Sequence, residues 1–170
     1  MDFLELAKKR YSCRKITDKK VEQEKLDKII EAGLVAPTAV NIQPFKIFLL
    51  QSEKAKEEIH KATKCTFGAD NFFIVGAKKD DAWVRPFDEK NFAEVDAAIV
   101  ATHMMMEIEE LGLATTWVGW FDAPYLKEKF PQLEDYELIA MFPVGYASET
   151  ARKASRHFER KSAAELTEVI

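Results

Sequence analysis

Glycine is sparse in this 170-residue chain, cysteine is sparser, and no apolar run is long enough to span a bilayer. The two cysteines, Cys13 and Cys65, form no CxxC pair, and neither lies near paired histidines. That argues against a zinc site and a disulfide framework, and it fits a reduced, cytoplasmic setting. The opening residues "MDFLELAKKR" carry acidic groups and lack the apolar core of a secretory signal. Neither sign of charge dominates. A net charge of -4 gives no long-range attraction for nucleic acid or an anionic membrane, so any anion site has to be local. The sequence contains no Walker loop, no nucleophile elbow and no Rossmann glycine fingerprint, which removes the usual devices for holding a nucleotide or activating a serine.

What is present reads as one ordinary globular domain over residues 1–170, long enough for a real core and short for two. "DFLELAKK" places Phe3, Leu4, Leu6 and Ala7 on one side of a short helix with Asp2 as its cap. "VEQEKLDKIIEAGLVA" puts Leu26, Ile29, Ile30, Gly33 and Leu34 on one helical stripe, and Pro37 stops it. Short apolar runs at "FKIFLLQ", "NFFIVGAKK", "ATTWVGW" and "YELIAMFPVGYA" read as strands, with Pro143 marking an edge position or a bulge. Ser52 and Asp122 stand where helix caps belong, and Ser162 with Glu165 three residues on forms a capping-box pattern. The segment "FAEVDAAIVATHMMMEIEELG" is different. It is apolar around most of its circumference, which predicts a helix buried on all sides, partly against another subunit. His103 then reads as a core histidine, Met104, Met105 and Met106 as packing, and His60 as exposed. Helices alternate with strands, so the class is α/β or α+β, with helices covering a small sheet.

Four stretches have residues suited to binding chemistry. In "RYSCR", residues 10–14, Arg10, Ser12 and Arg14 point the same way if the backbone is extended, and two guanidiniums with a hydroxyl suit a phosphate. The alternative is a solvated basic stretch at a helix C-terminus. In "APTAVNIQPF", residues 36–45, Asn41 and Gln43 have amides able to read a heterocycle or polyol, or simply to satisfy the loop's own backbone. In "TTWVGW", residues 115–120, Gly119 lets a ligand approach the backbone, although two tryptophans on a core strand explain the same letters. The tail "RKASRHFERKS" clusters Arg152, Lys153, Arg156, Arg160 and Lys161, as solvated charge or as the return half of an anion site.

Taken together and in this order, the motifs resemble the nitroreductase family of FMN-dependent oxidoreductases, over residues 3–169. The resemblance rests on "RYSCR", "APTAVNIQPF", "LGLATTWVGWFD", and "PVGYASE" followed by "ERKS". It implies an α+β fold, a three-layer sandwich with a small central sheet flanked by helices. It also implies an obligate homodimer, with the helix over 96–111 at its centre and two FMN molecules at the interface. Arg10, Tyr11, Ser12 and Arg14 match the phosphate and ribityl contacts, and Arg160 matches the basic residue completing the phosphate site. Pro37, Thr38 and Asn41 match the loop lining the flavin from the partner subunit, with threonine where the family often has serine. Trp117, Val118 and Gly119 match the segment beside the isoalloxazine ring. The implied chemistry is a ping-pong cycle in which NADH or NADPH reduces the flavin and a small acceptor such as a nitroaromatic or quinone reoxidises it. No metal and no catalytic side chain is implied. Reductive dehalogenation on the same scaffold, and flavin binding or redox sensing without turnover, are the competing readings.

Overall fold

Each strand of the sheet alternates its side chains between two apolar layers, and this organises the molecule. The computed structural model describes residues 2–170. Its elements are α1 (Phe3–Lys9), α2 (Gln23–Leu34), β1 (Phe45–Leu50), α3 (Glu53–Ala62), β2 (Asn71–Ala77), α4 (Ala93–Glu110), α5 (Ala123–Lys129), β3 (Glu137–Val144) and α6 (Ala163–Leu166). The strands form an antiparallel sheet in the order β1-β2-β3. Phe73, Val75 and Ala77 of β2 face the layer containing α2 and α4, joined by Ala140, Phe142 and Val144 of β3. Phe72 and Ile74 face the opposite layer, where Ile59 of α3, Leu126 of α5 and Met141 of β3 close the core. A sheet covered on both faces needs apolar residues at consecutive positions, which is why "NFFIV" is continuous rather than alternating. The result is an α+β three-layer sandwich.

Ser52 caps α3 by accepting from the Ala55 N–H, Asp122 caps α5 through the Tyr125 N–H, and Ser162 and Glu165 complete the capping box of α6. Asp2 does not behave as expected: its side chain makes no capping bond, and α1 buries Leu6 alone while Phe3 and Leu4 stay exposed. Gly112 ends α4 at φ +70°, a left-handed geometry that glycine adopts without steric penalty. Gly33 answers to packing instead, since a Cβ there would stand 2.6 Å from Ile47 Cδ1 and 3.0 Å from Met104 Cγ, where α2 crosses α4 and β1.

"ATTWVGW" is not a regular strand. Ala114 bridges Gly145 and Val118 bridges Met141, each with paired backbone bonds, on the free edge of β3. Both bridges share one antiparallel register, and that register brings Thr116 opposite Pro143. Pro143 has no N–H to give, so the ladder breaks at its centre and leaves two bridges in place of a strand.

This chain covers one arc of the helix α4 and leaves the rest open, as a helix packed partly against another subunit would be. Ala97, Val100, Ala101, Met104 and Ile108 are fully buried, but Thr102 and His103 are exposed, and His103 Nδ1 lies 3.0 Å from the Ile99 carbonyl oxygen. His103 is therefore a surface residue of this chain. A circumference rich in alanine and methionine does not show which arc the sheet covers. Along the uncovered arc runs a groove of about 610 Å³ between α1, α2 and α4, lined by Phe3, Ala32, Val35, His103, Met106 and Glu107. Among the described residues, no helix is long and apolar enough to cross a membrane.

Candidate flavin site

The extended segment after α1 alternates as its sequence requires. Cys13 is turned into the core at 1 % exposure, while Arg10 and Ser12 are half-buried and Arg14 is exposed. The Cys13 N–H donates to the Thr115 carbonyl at 2.9 Å, which fixes this segment beside residues 114–118. On its other side the chain after β3 runs past it: the Thr17 N–H donates to the Tyr146 carbonyl and the Ser148 N–H to the Lys15 carbonyl. These bonds direct the basic tail back over Tyr11. The Lys153 ammonium stands 5.7 Å from the Tyr11 ring centroid, and the His157 ring meets Tyr11 edge-to-face at 6.4 Å.

The charges acting on His157 are one-sided. His157 is held below the usual imidazole range by burial first and then by the positive charges of Lys153, Arg160 and Arg10. The charged groups that set its titration are thus all cationic. Such a concentration of positive charge is held together most easily by an anion. Tyr11 is pushed up to about 12, by burial first, then by its hydrogen bond to Cys13 and the charges of Cys13 and Glu109, with Arg152 acting in the opposite direction. Its hydroxyl therefore stays protonated and is a neutral donor at physiological pH. Among the described residues, neither of the two outer arginines pairs with a carboxylate: Arg14 Nη1 donates to the Ser12 carbonyl at 3.4 Å, and Arg160 Nη1 to the Glu159 carbonyl at 2.6 Å.

The segment at 117–119 presents three different surfaces. Trp117 is partly exposed and meets Phe142 edge-to-face at 5.4 Å. Val118 is buried, and both its N–H and its carbonyl are bonded to Met141, so its backbone is not available to a ligand. Gly119 is exposed, its N–H makes no hydrogen bond among the described residues, and a Cβ there would meet nothing within 4 Å. A clear glycine amide, on a segment whose Thr115 bonds the stretch carrying Arg10 and Arg14, suits a flat ring.

The loop over 36–45 lies apart. Among the described residues, no hydrogen bond, ion pair or ring contact joins Pro37, Thr38 or Asn41 to residues 10–14, 117–119 or 160. The loop's own structure is unusual. Val40, Asn41 and Gln43 all have left-handed backbone geometry, at φ 44°, 57° and 58°. Asparagine accepts this readily; a β-branched valine at 73 % exposure does so at a cost of about 1–3 kcal/mol. Thr38 Oγ1 accepts from the Gln43 N–H at 3.0 Å, and the Gln43 amide donates to Asn41 Oδ1 at 3.1 Å. Gln43 therefore serves the loop itself. Within residues 38–43 the bond that reaches another element is the one from the Ala39 N–H to Asp96 Oδ1, at 2.9 Å. A hydrogen bond to a charged group contributes about 1.5–3 kcal/mol, the same scale as the strain.

Sequence reasoning passed over Asp96 and His157 and did not set Lys153 apart from the rest of the tail. A lone carboxylate among Val95, Ala97 and Ala98 was the available sign for Asp96; for the tail residues, only the return path of the chain reveals their place.

The sequence model of the "Nitroreductase family" matches residues 7–71 and 64–146, and the chain belongs to that family. A nitroreductase family protein from Clostridium difficile 630 is 38% identical, with a TM-score of 0.90 over 99% of this chain and 98% of that one. A Methanothermobacter thermautotrophicus protein, whose name proposes an NADH dehydrogenase or NAD(P)H nitroreductase, is 27% identical over 161 residues, covering 88% of this chain and 79% of that protein. The iodotyrosine deiodinase of Thermotoga neapolitana is 25% identical over 174 residues, covering 90% and 92%.

Proposed function

We propose that residues 1–170 form one FMN-binding domain. In this reading it acts as a homodimeric, cytoplasmic oxidoreductase, using NADH or NADPH to reduce a small acceptor such as a nitroaromatic or quinone. The observation that carries this reading is the convergence of Arg10, Lys153 and Arg160 on His157, next to Tyr11. Arg10 and Arg160 hold the phosphate, with Ser12 and Arg14 reaching toward the ribityl chain. Trp117 and Gly119 border the ring, the Gly119 N–H donating to its edge, and Val118 locks that segment to β3. Bound FMN supplies the centre that takes up and passes on reducing equivalents. The isolation of Pro37, Thr38 and Asn41 from the rest of the site supports a wall contributed across a dimer. The apolar groove on the outer arc of α4 supports the same arrangement.

The test is optical. The purified protein, reconstituted with FMN, is expected to be yellow and to bleach anaerobically on addition of NADH or NADPH. No flavin uptake removes the reading; uptake without bleaching leaves a flavin-binding protein that does not turn over. The deiodinase relative favours one second reading, reductive dehalogenation. Faster reoxidation by a halogenated phenol than by quinones or nitroaromatics selects it.

A further inference from the structure

Among the described residues, one side chain ties the strained loop over 38–43 to the rest of the fold by a hydrogen bond. Asp96 sits in the first turn of α4 at 1 % exposure, and its Oδ1 accepts the Ala39 N–H. The other hydrogen bonds of residues 38–43 stay within the loop or its flanks: Asn41 to Thr38, Ile42 to Ala39, Gln43 to Thr38 and to Asn41, Phe45 to Gln43. Asp96 Oδ2, also buried, has no hydrogen-bond partner among the described residues. A carboxylate buried this deeply with half its acceptors unused is costly to keep, and an apolar residue would pack more cheaply. What it provides is a charge-assisted bond at the point where the chain enters three left-handed residues in a span of four. Val40, exposed and β-branched, has no packing to hold it in that geometry.

The geometry points to Asp96 as a positioning residue that holds residues 38–43 in their strained conformation. Its effect on flavin affinity is exerted through the loop and not by touching the ligand. The link to flavin rests on the function proposed above; the link to the loop does not. Asp96 acts by fixing one amide, so its loss releases the left-handed residues toward ordinary geometry and removes the preformed wall.

The experiment has two arms, on the full chain. Hydrogen exchange is measured by mass spectrometry on the flavin-free protein for wild type, Asp96→Ala, Asp96→Asn and Asp96→Ala with Val40→Gly. Asp96→Ala is expected to speed exchange in peptides covering 36–45 at least tenfold or so, leaving β2 peptides unchanged. Asp96→Asn, which keeps an acceptor of the same shape, gives a smaller rise. Adding Val40→Gly, which relieves the strain the carboxylate opposes, recovers part of the protection. The second arm titrates FMN by fluorescence, where Asp96→Ala weakens binding about tenfold and Asp96→Asn less. Unchanged exchange over 36–45 in a folded Asp96→Ala protein overturns the inference. So does a rise spread equally over β2, which marks a general core role. If Asp96→Ala does not fold, Asp96→Asn decides by the same readout, and no rise over 36–45 overturns the inference. A wild type that takes up no FMN defeats the flavin reading, while the exchange arm still decides the role of Asp96.

Discussion

The sheet and the segments proposed to face the flavin are held in opposite ways. From Phe72 to Val75, β2 has no solvent exposure; every side chain has a helical layer over it and every neighbour is in the same chain. Among the described residues, one hydrogen bond anchors residues 38–43 and their strained backbone, and no carboxylate pairs with Arg10, Arg14 or Arg160. The sheet is complete in one chain. In the function proposed above, the site is complete only with a ligand and a second subunit, which would account for segments that look unfinished when their neighbours do not. Stability and binding should accordingly separate under mutation.

The largest effect falls on the closed region. Phe73 is fully buried, pairs with Leu49 and Phe142 across the sheet, and faces the layer of α2 and α4. Phe73→Ala should cost about 3–5 kcal/mol of stability, read by urea unfolding, because the rigid layers cannot collapse onto the void. A loss nearer 1 kcal/mol would mean that the core repacks, and the contrast between the two regions would shrink.

Second in size is the cationic corner, where the effect is on binding alone. Arg10→Ala and Arg160→Ala should each weaken FMN binding about 10–100-fold while stability changes by no more than about 0.5 kcal/mol. Lys161→Ala is the control, one residue along with the same charge. If Lys161→Ala weakens FMN as much as Arg160→Ala, the corner attracts by net charge and not by a shaped phosphate site.

The closed region was legible in the sequence, because local chemistry and tertiary role agree there. Ser52 and Asp122 cap the helices they precede, and the apolar runs of β1, β2 and β3 lie where a two-faced sheet needs them. The misreadings come from non-local causes. "ATTWVGW" has strand residues, but a proline on its neighbour removes the central bond of the ladder. His103 lies in an apolar helix, yet the arc that carries it is not the one the sheet covers. The loop's left-handed valine contradicts its own propensity, and the bond that holds the neighbouring Ala39 N–H comes from Asp96, 57 positions away in the sequence. Arg10, Ser12 and Arg14 could be aligned from spacing alone; the meeting of Tyr11 and the charge of Arg10 with Lys153 and His157 required the path of the chain after β3.

The smallest expected effect tests where the closed region ends, on the outer arc of α4. Glu107 lines the groove there, its carboxyl raised above the ordinary range by burial first and then by Glu110, with Glu31 adding and Lys28 opposing. A carboxyl whose folded pKa is raised binds its proton more tightly folded than unfolded. Its penalty on stability is therefore absent below the ordinary carboxyl pKa, grows as pH rises through the window up to the raised value, and is complete above it. Glu107→Gln should raise Tm by about 1–2 °C at neutral pH, and the gain should vanish in acid. If the groove packs against a second subunit, the carboxyl loses still more water there, and the same sign carries over to assembly. Sedimentation of the wild type should then show tighter dimers near pH 5 than near pH 8, with Glu107→Gln flattening the difference. A pH-dependent Tm with pH-independent assembly would leave Glu107 responding to its own chain only, and would place the subunit contact on another face.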